Sequence, residues 1–114
     1  MITIEKLSAF GANTAEGLAR CYGSEALYLR LVGLIPAEKS FAALEQALAS
    51  HDLDAGFAAA HALKGVLGNL SLTPMYALAC DITELLRSRT EAGCAEKAAR
   101  LLSLRDELAA LCAD

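Results

Sequence analysis

Apolar residues recur along this chain with the period of a helix. Leu53, Ala60, Leu63, Leu67 and Leu70 fall within one stripe of roughly 100° when wound as an α-helix. Met75, Leu78, Ile82 and Leu85 make a second stripe, and Leu101, Leu104, Leu108 and Leu111 a third. No segment sustains the alternation of period two that a half-buried strand needs. Punctuation between the stripes sets the elements. Gly11-Ala12-Asn13 and Gly23-Ser24 divide the N-terminal part into short helices over residues 3–10, 14–21 and 24–34, with Ser24 as the N-cap of the third. Pro36 then precedes a helix over residues 37–50, as a proline near a helix start should. In the polar turn Ser50-His51-Asp52-Leu53-Asp54, Asp52 or Asp54 caps a helix that runs to about Leu70. Ser71-Leu72-Thr73-Pro74 repeats the stop-and-start chemistry, with Thr73 capping and Pro74 at the first position of a helix over residues 74–89. Thr90-Glu91-Ala92-Gly93 closes that helix, and a last one covers residues 94–111.

Short connections between long helices make consecutive ones antiparallel neighbours. The expected fold is therefore all-α: an antiparallel up-down four-helix bundle over about residues 37–114, with the short N-terminal helices of about residues 1–36 packed over one end or flank. At 114 residues the chain is the size of one domain. It is 55% hydrophobic but only 5% aromatic, without Trp, so the core must be built from Leu and Ala, which suits close-packed helices. Such a bundle closes on itself, which makes a monomer the default. The net charge of −4 and pI of about 5.1 exclude a nucleic-acid binder, because neutralising phosphates needs a basic surface. Charge or Gly interrupts every apolar stretch well before the ~18 residues a membrane span needs, and the start lacks a basic region followed by an apolar run. The expectation is a free-standing cytoplasmic chain. Its four cysteines, Cys21, Cys80, Cys94 and Cys112, form no C-x-x-C pair and are expected as reduced, small hydrophobes without a metal.

One helix face departs from the bundle pattern. His61 points about 130° away from the centre of its helix's apolar stripe, towards solvent. Its neighbours on that face, at i±3, i+4 and i+7, are Ala58, Lys64, Gly65 and Gly68. Glycine inside a helix costs about 1 kcal/mol relative to alanine, so the pair must be offset by roughly 2 kcal/mol elsewhere. A solvated face does not need glycine; a face that lets another body approach an imidazole does. Close helix packing, or an early helix end near Gly68-Asn69, is the competing explanation, with more force for Gly68 than for Gly65. His51 sits in a turn with no flanking lysine and no glycine patch, and reads as a solvated turn residue.

The string Ala60-His61-Ala62-Leu63-Lys64-Gly65 resembles the A-H-x-L-K-G signature of histidine-containing phosphotransfer (HPt) domains of two-component phosphorelays. Upstream, Leu44-Glu45-Gln46-Ala47-Leu48, Asp52 and Phe57 are similar to that family's lead-in. Further upstream, Gly17-Leu18-Ala19-Arg20, Gly23 and Leu27-Tyr28 are similar to its opening, and downstream Leu78-Ala79-Cys80 and Glu84 fall where its next helix lies. Val66 and Leu67 stand where the family often has Ser or Ala, and Ser71 where it often has Gly.

The resemblance implies that His61 is a phosphoacceptor, its Nε2 taking a phosphoryl group from an aspartyl phosphate on a receiver domain and passing it to another. A neutral imidazole is a good nucleophile, and a transferred phosphoryl group needs mainly positioning and charge stabilisation. Lys64 is expected to supply positive charge to the phosphoryl oxygens, and Phe57, Ala58, Gly65 and Gly68 to form the docking face. The chain is then a carrier without kinase activity or a cofactor of its own. Mg²⁺ is expected on the partner receiver, since no acidic cluster here has metal-ligand spacing. Asp54, nearly two turns before His61, reads as a cap. A metal or haem bundle lacks convergent Glu-x-x-His pairs. A histidine-kinase dimerisation domain usually has an acidic residue and a nearby proline after its His, where this chain has Ala62-Leu63-Lys64, and no room for an ATP-binding domain is expected in 114 residues. The alternative carried forward is a non-catalytic adaptor that keeps the fold and only docks receivers.

Overall fold

The computed structural model describes residues 1–113, and every regular element among them is helical. In chain order these are α1 (Ile4–Phe10), α2 (Thr14–Arg20), α3 (Glu25–Leu34), a 3-10 turn (Ile35–Ala37), α4 (Ser40–Ala49), α5 (Leu53–Asn69), α6 (Thr73–Arg87) and α7 (Cys94–Cys112). Side-chain caps open the helices where the sequence offers them. Thr3 Oγ1 accepts from the Lys6 N–H, Asn13 Oδ1 from Glu16, Ser24 Oγ from Leu27 and Asp52 Oδ1 from Ala55. Each satisfies one of the N–H groups that a helix start leaves without an intrahelical partner.

Three local expectations need correction. Pro36 does not open the fourth helix but lies in the 3-10 turn, and the extended backbone of Glu38 delays α4 to Ser40, whose N–H and hydroxyl both donate to the Glu38 carboxylate. Thr73 is not a cap: its hydroxyl donates to the Ser71 carbonyl, and α6 starts without a side-chain cap. Pro74 in its first turn removes one N–H that would otherwise need a partner. Asp54 is not a cap either, since Asp52 fills that position and Asp54 pairs with Arg89 across the start of α5 and the end of α6.

α5 packs between α4 and α6, α6 also packs on α7, and α7 touches α4 and the 3-10 turn. The predicted stripes face inward at Ala60, Leu63, Leu67, Met75, Ile82, Leu101 and Leu108, all fully buried; Leu53, Leu78, Leu85 and Leu111 are half-buried at the margins. The N-terminal helices add Leu7, Tyr28 and Val32 to this same core. They are seated on the turn between α5 and α6, where the Asn13 N–H donates to the Ser71 carbonyl at 2.9 Å and the Tyr28 hydroxyl to the Leu70 carbonyl at 2.8 Å. All four cysteines are free, with Cys21 and Cys94 buried. Among the described residues no helix is long and apolar enough to cross a membrane.

Candidate functional site

His61 lies on the solvent side of α5, as its helical phase requires, and its side chain is exposed. Neither ring nitrogen has a hydrogen-bond partner among the described residues, so both are available. The ring is held instead by Phe57, one turn earlier. The two rings stack with centroids 5.8 Å apart and planes 12° from parallel. Phe57 is itself half-buried, and the Arg87 guanidinium lies over its ring, 5.1 Å from the centroid.

On its other flank His61 opens into a cleft of about 560 Å³ that contains Lys64, Gly65 and Gly68 from α5. Lys64 is half-buried, and no acid lies within ion-pair distance of its ammonium among the described residues. Its charge is therefore free to act on whatever enters. Gly65 is exposed, and a Cβ there would meet no atom within 4 Å, so its bareness leaves open surface beside the imidazole. Gly68 differs. A Cβ there would stand 2.9 Å from the Tyr76 ring, so this glycine admits a side chain of α6 against α5. Of the docking residues named from the sequence, Gly65 and Gly68 line the cleft, Phe57 borders His61 outside it, and Ala58 is exposed but not part of the lining.

The far wall comes from elements that the sequence did not connect with His61. Asn13, Glu16 and Arg20 contribute from α2 and its cap, Asn69 and Ser71 from the α5–α6 turn, and Thr73 and Tyr76 from α6. Arg20 pairs with Glu16 at 3.4 Å, and the same Glu16 oxygen accepts from the Ser71 hydroxyl at 2.8 Å. Ser71 has φ +55°, a left-handed conformation that favours glycine, and its hydroxyl compensates by tying α2 to the turn. The neighbouring Cys80 thiol holds the Tyr76 phenol above its usual range, while the Arg20 guanidinium pulls in the opposite direction. Asn13 was visible only as part of the Gly11-Ala12-Asn13 break, and no local signal places residues 13–20 beside residue 61.

His51 sits in its turn with φ +57°, solvated, its Nδ1 3.0 Å from Glu91 Oε1. A second, smaller hollow beside Phe57 is lined by Asp54, Leu86, Arg87 and Arg89.

The described residues thus leave an exposed histidine without a hydrogen-bond partner on α5, beside a lysine with no ion pair and a bare backbone at Gly65. The sequence profile of the Hpt domain family matches residues 35–114, and the chain belongs to that family. Hpt domains are phosphotransfer carriers of two-component systems rather than kinases, and they interact with receiver domains. The match starts in the 3-10 turn, so α1, α2 and α3 lie outside it. No curated protein and no solved structure gives a significant match to the chain.

Proposed function

We propose that the chain is a monomeric cytoplasmic phosphorelay intermediate, one domain built on an antiparallel up-down four-helix bundle, in which His61 carries the phosphoryl group. The observation that carries this reading is the exposed imidazole with two unpartnered ring nitrogens on the helix that bears the family signature. In the forward step the Nε2 lone pair bonds to phosphorus while the bond from phosphorus to the receiver's aspartyl oxygen breaks. Its electron pair leaves with the aspartate carboxylate. Return of the group to another receiver reverses these roles. Phe57 limits how the ring can turn, which keeps the nucleophile presented to one side. Lys64 supplies charge to the phosphoryl oxygens, and Phe57, Ala58, Gly65 and Gly68 form the face against which the receiver docks. The receiver's own carboxylates hold the Mg²⁺.

Transfer and docking separate this reading from that of an adaptor. With a receiver phosphorylated in advance, label should move to the wild-type chain. Lys64→Ala should slow that movement by roughly tenfold or more, the loss of about 1.4 kcal/mol of charge stabilisation, with receiver affinity changed far less. A chain that binds the receiver but takes no label would be an adaptor. Transfer at the wild-type rate in Lys64→Ala would remove the electrostatic role of that lysine.

A further inference from the structure

The Hpt match covers the helix that carries His61 and Lys64 but not all of the wall of the cleft that faces them. The α2 part of that wall, with Asn13, Glu16 and Arg20, lies outside the matched residues, and it is built rather than casual. Three contacts fix the N-terminal helices to the α5–α6 turn: the Asn13 N–H on the Ser71 carbonyl, the Ser71 hydroxyl on Glu16, and the Tyr28 hydroxyl on the Leu70 carbonyl. Glu16 is thus anchored by Ser71 at 2.8 Å, independently of Arg20. Arg20 is held more loosely. Among the described residues its only ion pair is the 3.4 Å contact with Glu16, and both side chains are about half exposed. A pair of this kind, four residues apart on a helix surface, contributes little to stability.

A phosphoryl group on a side chain brings about −1.5 to −2 charges and three acceptor oxygens. The charged and titratable groups around the cleft are Arg20 and Glu16 on α2, Lys64 on α5, and the phenol of Tyr76 on α6. Lys64 alone leaves such a dianion under-compensated, with the Glu16 carboxylate in the same cleft. A guanidinium forms two parallel hydrogen bonds to phosphate oxygens, which a half-exposed carboxylate at 3.4 Å does not match.

We propose that Arg20 is a second phosphoryl-binding cation of this cleft, which leaves Glu16 and pairs with the phosphoryl group once His61 carries it. Glu16 stays on Ser71 and so keeps the wall in place while the arginine moves. This rests on His61 being the phosphoacceptor, and the test separates the two ideas.

The full chain is phosphorylated with phosphoramidate, a small donor that needs no receiver, and the phosphoryl resonance is followed by phosphorus NMR as pH is varied. A nearby cation favours the dianion and lowers the pKa of the phosphoryl group. Arg20→Ala should therefore raise that pKa by about 0.3–1 pH unit, and Arg20→Lys should recover part of the shift. Glu16→Gln should lower it, because it removes a competing anion and frees the arginine. In about 0.5 M salt the difference between wild type and Arg20→Ala should shrink, since exposed charges are screened there. A merely structural role for Arg20 would change melting temperature but not this titration. If His61 is labelled and Arg20→Ala titrates as wild type, the inference is wrong and the phosphoacceptor stands. If His61 takes no label, the phosphoacceptor reading falls and the inference falls with it.

Discussion

A Cβ on Gly65 would meet nothing within 4 Å, whereas one on Gly68 would run into the Tyr76 ring, although both glycines sit on the same helix face. The sequence shows two helix-interior glycines near one histidine and cannot tell these cases apart, because the second depends on a side chain from α6. The phase of α5 alone did reveal that His61 faces solvent. Arg20, by contrast, was visible only as part of an opening motif, since its proximity to His61 follows from how α2 is seated. Gly65 therefore carries the access argument. Gly65→Leu should leave the fold intact, with stability equal or up to about 1 kcal/mol higher, because leucine is the better helix former. It should cut transfer from a phosphorylated receiver by tenfold or more while phosphoramidate still labels His61. Receiver transfer at the wild-type rate would show that the bare backbone at Gly65 has no part in docking.

Helix boundaries were legible where a side chain caps its own backbone a few residues on, as Ser24 and Asp52 do. They were misjudged where a neighbour outside that window decides. Asp54 is drawn to Arg89 just past the far end of α6, and Pro36 serves a separate turn. The attachment of the N-terminal helices was beyond reach for the same reason. Its anchor is Tyr28, fully buried, whose hydroxyl reaches Leu70 across forty-two positions of sequence. Burial pushes this phenol's pKa up, with a further push from Cys21. Folding thus favours the protonated form. The stability this contributes is fully present below the unfolded pKa of about 10 and is lost as pH rises through the higher folded value. Tyr28→Phe should cost about 1 kcal/mol at pH 8, the ordinary worth of one hydrogen bond. In urea titrations the gap between wild type and variant should narrow from pH 8 to pH 11. A gap that stays constant or widens would mean that Tyr28 is not buried in its protonated form.

Across the whole molecule, α1–α3 and the Hpt-matched helices share one core, and the cleft beside His61 lies where they meet. The helical class and the orientation of the central helix could be read from apolar spacing, since both follow from local periodicity. The shape of the cleft could not, because it is a product of packing. The chain's acidic balance leaves the cleft's unpaired Lys64 as a local exception, suited to an anionic group presented by a partner. The residue on which a phosphoryl group comes to rest is the most direct test of His61 as its carrier. The purified chain, incubated with a phosphorylated receiver and kept at neutral to alkaline pH, can be fragmented in a mass spectrometer to locate the added group. The expected result is one phosphoryl group on His61, labile in acid, and none on His61→Gln with its helical circular dichroism unchanged. Label on any other residue, label that survives acid, or label retained by His61→Gln would contradict it.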